Sequence, residues 1–383
     1  MKVPSKFDQI RPWEPEELPE VYDRLLGNEQ FVAVVGELYK GVPIDMLKQK
    51  LYACKTNMDF QKAFCYPFIN DLMAKLSYGF DMDSSAVDNS GNYTFISNHR
   101  DIVADSALLD YLLLENGFST TCEIAIGDNL LSLPWVKDLV RVNKSFIVER
   151  ALSMREMLMA SKRLSEYMHF AIAEKKENVW IAQREGRAKD SDDRTQEAIL
   201  KMMAMGGEGN IVERLVSLHL VPLTISYEYD PCDFLKAKEF QQKRDVAGWK
   251  KGPMDDIISM KTGIFGFKGH VHYHAAACLD DYLMSLDPET PKTEIFKLIA
   301  EHIDKEIHAN YSLYANNYIA LDELTGSNDF ADKYSAEDKQ KFDAYIQQQL
   351  AKIDLDNKDE QFLTERMLTM YANPLRNYLA VSK

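Results

Sequence analysis

The 383 residues contain no uninterrupted apolar run of the roughly 18 or more residues that a membrane-crossing helix requires. No transmembrane helix is therefore expected, and any lipid substrate would be met from the water side. The opening Met1-Lys2-Val3-Pro4-Ser5 leads into charged sequence rather than the apolar centre of a signal peptide. Cysteine is scarce: Cys54, Cys65, Cys122, Cys232 and Cys278 are odd in number and form no CxxC pair. That argues against a disulfide framework and for a reducing, cytoplasmic location. Positive charge is in deficit, with 45 Lys and Arg against 60 Asp and Glu, a formal net charge of −15. A general nucleic-acid binder, which needs a basic footprint, is excluded, and so is long-range attraction to anionic membranes. A local basic cleft for a phosphorylated ligand remains compatible with that balance. Internal repeats and low-complexity linkers are also missing.

What is present is apolar material for a sizeable core, 46% of residues. Residues 1–88 read as a helical N-terminal region. Within it, Phe60, Phe64, Phe68, Leu72 and Leu76 fall at steps of four, with Pro67 expected to kink the helix. Those phenylalanines suit either a core or a shallow membrane face. Residues 89–285 alternate short apolar runs with helical stretches. The runs are Tyr93–Ser97, Thr121–Ile126, Ser145–Val148, Val179–Ala182, Leu220–Tyr227 and Val271–Tyr273. The pattern predicts an α/β domain, a central sheet flanked by helices. Residues 286–383 read as a helical C-terminal region, with a polar loop near Gly326–Lys333.

The densest chemical signal is Ser97-Asn98-His99-Arg100-Asp101-Ile102-Val103-Ala104-Asp105-Ser106, after a predicted strand and before a predicted helix. A neutral histidine there can take a proton from an attacking hydroxyl, and a nearby carboxylate, Asp101 or Asp105, can fix its tautomer. The competing reading is a helix cap. His99-Arg100-Asp101 also spells the protein-kinase catalytic triplet. Ser106 stands where a kinase needs Asn, however, and neither a glycine-rich phosphate loop nor Asp-Phe-Gly occurs. A second block runs from Gly127-Asp128-Asn129 through Arg141 to Ser145-Phe146-Ile147-Val148-Glu149-Arg150. Its arginines suit a phosphate or an ordinary surface. A third, Val179-Trp180-Ile181-Ala182-Gln183-Arg184-Glu185-Gly186-Arg187, carries a strand into a charged loop. Gly186 there permits close backbone approach to a ligand, and a plain charged turn is the alternative. The fourth, Leu220–Tyr227, builds sheet.

Together and in this order, the four blocks resemble the glycerophospholipid acyltransferase superfamily, especially its glycerol-3-phosphate acyltransferase-like branch. The resemblance covers roughly residues 93–230 and, more loosely, the segment around Ile307–Tyr311 and Asn317–Ala320. It implies a mixed-sheet α/β fold with helical additions, no cofactor or metal, and acyl-CoA or acyl-carrier protein as co-substrate. It assigns His99 as the general base and an aspartate as its partner. It also implies an acceptor-binding set of Arg150, Arg187, Glu185 and Gly186, with Arg141 beside them. The family pattern places four residues between His and Asp, where this chain has Ala104. Asp105 leaves five and is favoured if the loop holds one extra residue; Asp101 leaves one and is the rival.

His270, His272 and His274 alternate along a predicted strand and so share a face. Three imidazoles on one face suit zinc or a half-exposed strand. The expectation is an acyltransferase moving a fatty acyl group from a thioester onto glycerol-3-phosphate, a lysophospholipid or a related lipid. It would be cytoplasmic, with peripheral contact at the cytoplasmic membrane face and no nucleic-acid partner. Two alternatives stand beside it: a silent lipid- or acyl-binding protein of the same fold, and an acyl-thioester hydrolase.

Overall fold

The computed structural model describes residues 2–39, 41–150, 153–252 and 254–382. A seven-stranded sheet is built from β1 (Gly79–Asp83), β2 (Thr94–Ser97), β3 (Cys122–Gly127), β4 (Ser145–Val148), β5 (Asn178–Ala182), β6 (Leu220–Tyr227) and β7 (His270–Ala275). Its order is β1-β7-β6-β2-β5-β3-β4. The pairs among β6, β2, β5, β3 and β4 are parallel, β7 runs antiparallel to β6, and β1 pairs parallel with β7.

The central strands are continuous apolar runs because helices cover both faces. Every residue of β2 and of β6 is buried. Alternate side chains separate into two cores. Ile96, Val179 and Ile181 join Phe146, Tyr167 and the isoleucines of helix Lys292–Ala309 on one face. Phe95, Trp180 and Val221 join Leu108, Leu109 and Leu112 of helix Ala104–Glu115 on the other. The sheet thus starts at Gly79, inside the stretch read as helical. A helix beyond residue 286 also packs under its centre.

β1 escaped the sequence reading because it is an edge strand of sequence Gly-Phe-Asp-Met-Asp with one buried residue, Met82. It holds no apolar run. Two further cores lie outside the sheet. Helices Leu18–Leu26, Glu29–Leu38 and Ile44–Ala53 pack with Phe60, Phe64 and Val142. At the other end, helices Ala315–Thr325, Ala336–Ala351 and Glu360–Val381 form the second. Pro67 falls just where a π turn, Gln61–Cys65, passes into helix Tyr66–Leu76. The missing N–H is thereby absorbed at a change of helix type. Among the described residues no helix is long and apolar enough to cross a membrane.

Candidate active site

Because β2, β5, β3 and β4 are parallel, the loops leaving their C-terminal ends gather on one edge, the usual ligand edge of such sheets. Gln183 N–H donates to the Ser97 carbonyl at 2.8 Å, extending the β2–β5 ladder into the first and third blocks. His99 lies just beyond. Its Nδ1 is 2.7 Å from Asp105 Oδ2, and its side chain is 13% exposed while Asp105 is fully buried. The imidazole sits edge-on to Trp180 at 5.5 Å. Trp180 Nε1–H in turn donates to Ser97 Oγ.

Asp105 Oδ2 also accepts the backbone N–H groups of Arg100 (2.7 Å) and Asp101 (3.0 Å). Burial alone would raise its pKa. The hydrogen bond and charge of His99, with those two amides, outweigh burial and bring the net shift below the ordinary value. A carboxylate held ionised against Nδ1 keeps the proton on that nitrogen and leaves Nε2 free to accept one.

Asp101 does something else. Its Oδ1 accepts N–H groups from Val103 (2.9 Å) and Ala104 (2.7 Å), capping helix Ala104–Glu115. Burial, then the neighbouring Asp105 charge, raises its pKa. Helix Asp255–Phe265 crosses directly behind it. A Cβ on Gly263 would come within 1.6 Å of Asp101 Oδ2, so the crossing requires glycine.

The second and third blocks meet. Arg150 Nη1–H donates to Glu185 Oε1 at 3.2 Å, and its guanidinium lies across the Cα of Gly127. Gly186 is exposed and adopts φ +68°, a left-handed turn that glycine tolerates. Arg187 Nη2–H donates to Ser259 Oγ, and its charge is felt by Asp101. Its Nη1 is enclosed without a hydrogen-bond partner, a donor waiting for an acceptor.

Arg141 is not brought to this cluster. Its guanidinium is buried against the N-terminal segment, donating to the carbonyls of Arg11 and Asp8 at 2.7 Å and stacking 3.6 Å from the Trp13 ring centroid. Burial, reinforced by nearby Arg11, lowers its pKa to about 10. The sequence could not separate a buried anchor from a phosphate ligand, since both are arginines near a strand.

Sequence reasoning missed the frame around His99. Arg100 is buried, and its Nη2 pairs with Asp193 Oδ2 at 2.8 Å. Asp193 also accepts the Tyr311 hydroxyl (2.5 Å), and its carbonyl oxygen takes His308 Nε2–H (2.7 Å). Asn98 exchanges hydrogen bonds with the backbone of Ile225, while Tyr273 O–H donates to the Asp105 carbonyl. Asp193 sits in a run of polar loop residues with no periodicity, so no local signal marked it.

Beside this edge opens an apolar pocket of about 330 Å³. Val103, Ala104, Ala107 and Tyr111 form one wall, along helix Ala104–Glu115; Ile264 and the N-terminal helices form others. Phe60, Phe64 and Phe68 line it, the first two stacked at 5.3 Å and buried. Phe60 and Phe64 belong to the core, and Phe68, partly buried, packs against the sheet's second core. Its few polar residues bond one another: Gln61 donates to Asp110 and Thr121 to Gln61. Burial lifts Asp110 to about 7.

His272 and His274 pair with Asp81 and Asp83 of β1, while His270 stacks on Tyr314. A group with metal-ligand proximity among the described residues is His219, Cys278 and Asp280, whose ligand atoms lie within 4.8 Å of one another. His219 precedes β6, at the sheet edge opposite the His99 loop.

Residues 82–226, from β1 to β6, match the Acyltransferase family model. The matched segment carries the four sequence blocks, and the match supports the resemblance drawn from them. Among solved structures it is similar to the 1-acyl-sn-glycerophosphate (LPA) acyltransferase PlsC of Thermotoga maritima. Identity is 13% and the TM-score 0.38, over 78% of this chain and 98% of that one. No curated protein matches the chain.

Proposed function

We propose that this acyltransferase moves a fatty acyl group from acyl-CoA or acyl-carrier protein onto a hydroxyl of glycerol-3-phosphate, a lysophospholipid or a related lipid. One observation carries the reading: the His99–Asp105 pair adjoins an apolar pocket lined by Val103 and Ala104, the two residues before Asp105. An apolar slot beside a base suits a fatty chain bound with its thioester carbonyl at the imidazole.

His99 Nε2 takes the acceptor proton as the oxygen attacks the carbonyl carbon. The tetrahedral oxyanion collapses, the C–S bond breaks, and the imidazolium returns its proton to the departing thiolate. Asp105 stays ionised throughout and stabilises the imidazolium. No covalent acyl-enzyme is needed. Arg187, with its free Nη1, and Arg150 supply the charge for an acceptor phosphate.

The deciding experiment is an acceptor screen with labelled acyl-CoA and acyl-carrier protein, read by lipid mass spectrometry. Free fatty acid released at the same rate with and without acceptor would identify a hydrolase instead. No turnover with any pair would favour a silent binding protein.

Two substitutions probe the assignment. Replacing Arg150 or Arg187 by Ala should raise the KM of a phosphorylated acceptor about tenfold or more and leave the donor KM near wild type. A change confined to the donor would reverse that assignment. Ala107→Trp should fill the pocket beside the site. It should lower kcat/KM for long-chain donors by at least about tenfold relative to short-chain ones. Equal losses for all chain lengths would show that the pocket does not hold the chain.

A further inference from the structure

Lysine is almost never fully buried unless it is paired. Lys236 is 2% exposed and lies near the start of helix Asp233–Asp245, beyond the last of the four sequence blocks. The positive end of the helix dipole is also the N-terminus. Burial and dipole both disfavour an ammonium at this place, so its partners have to compensate.

Among the described residues Nζ meets two acceptors. One is the Asp230 carboxylate. The other is the carbonyl oxygen of Arg100, at 3.0 Å. Asp230 is itself fixed: Oδ1 accepts the Cys232 N–H at 2.8 Å, and the Asp230 N–H donates to the Tyr371 hydroxyl at 3.1 Å. Tyr371 and Tyr345 both donate to Asp233 Oδ2 at 2.8 Å, and Gln349 donates to Oδ1. Lys236 is thereby mounted on the C-terminal helices.

The Arg100 carbonyl and the Asp101 N–H belong to one peptide unit. That N–H donates to Asp105 Oδ2 at 3.0 Å, the Arg100 N–H donates to the same oxygen at 2.7 Å, and His99 Nδ1 meets it at 2.7 Å. An ammonium on the carbonyl oxygen fixes the plane of the peptide and polarises it, so its N–H becomes a stronger donor. Asp193 holds the side chain of Arg100, and Lys236 holds its backbone.

We infer that Lys236 is a positioning residue for the His99–Asp105 pair: its ammonium sets the 100–101 peptide so that two amides and the imidazole converge on one oxygen of Asp105. This deepens the reading of His99 as the base and rests on it. Rotation of the peptide would take the Asp101 N–H off the carboxylate and let Asp105 and the imidazole shift together. A displacement of about 1 Å can cost on the order of 10²-fold in rate.

The test compares two variants with wild type. Lys236→Met/Asp230→Asn removes the ammonium and its counter-charge together. Tyr345→Phe breaks the same buried network at Asp233 and leaves the Arg100 carbonyl its donor. Each is measured for melting, for kcat and for both KM values. Each is also examined by NMR of protein carrying isotope-labelled histidine, in which the Nδ1–H signal of His99 is identified by its loss in His99→Ala. The double variant should lose about tenfold or more in kcat with both KM values within about twofold, and its Nδ1–H signal should move or broaden. Tyr345→Phe should melt lower and keep both kcat and the signal. If the double variant does not fold, Lys236→Gln, one bond shorter and uncharged, replaces it with the same expectation. The NMR arm needs no turnover, so a failed acceptor screen would remove the acyltransferase reading and still leave this result readable. An unmoved signal in the folded variant would overturn the inference, as would an unchanged kcat. A loss confined to KM, or a Tyr345→Phe variant that loses kcat as heavily, would also overturn it and make Lys236 a purely structural residue.

Discussion

His99→Ala should abolish nearly all acyl transfer, by about 10² to 10⁴-fold in kcat, while leaving the protein folded. The imidazole contributes little to packing that alanine would forfeit. It touches Trp180 edge-on, and the surrounding turn is held by Asn98, Arg100 and Asp105 rather than by His99. Thermal melting within a few degrees of wild type, together with a lost rate, is the expected pair of results. Turnover near wild type in the folded variant would remove His99 as the base.

Asp105→Asn should be almost as damaging, with a loss on the order of 10³-fold or more. An amide in place of the carboxylate can present N–H to Nδ1 and so put the imidazole proton on the wrong nitrogen. It also removes the negative charge facing the imidazolium. Asp101→Asn keeps an oxygen for the Val103 and Ala104 amides and should leave the rate within a few-fold. Even full loss of that cap would cost only about 0.5–2 kcal/mol of stability. The comparison requires kcat and melting for both. A large, stability-neutral loss in Asp101→Asn with Asp105→Asn close to wild type would exchange the two roles.

The Asp105 stabilisation has a defined pH window. Its folded pKa lies below the ordinary carboxylate value. Its contribution is therefore complete above the unfolded value of about 3.9 and is lost as pH falls through the folded one. At neutral pH it is fully present.

The central strands were legible because buried parallel strands are short, mostly apolar runs, and β2 through β6 have that form, with a few buried polar residues such as Glu123 and Thr224. The first block was legible because strand, polar turn and helix follow each other within ten residues. With five residues between His99 and Asp105, Asp101 turns the chain into the helix and Asp105 reaches back to the imidazole. The remainder depends on distant partners. Arg141 and Arg187 look alike in sequence, and only the N-terminal carbonyls that one meets and the Ser259 hydroxyl that the other meets tell them apart. Asp193 acts through Arg100, 93 positions away in the chain, and Tyr311. The pocket needs helices from both sides of β1, none of which looks unusual alone.

The Arg100–Asp193 pair ties the far end of the chain to its chemistry. Asp193 is held by His308 and Tyr311, and helix Lys292–Ala309, which carries His308, supplies Ile299, Ile303 and Ile307 to the core beneath the sheet. A fragment ending before Lys292 would bury a guanidinium whose counter-charge had lost its own anchors, beside His99. The last quarter of the chain is thus a keystone rather than an appendage. Its outer helices pack among themselves, while His308 and Tyr311 reach inward and fix Asp193 beside the His99 turn.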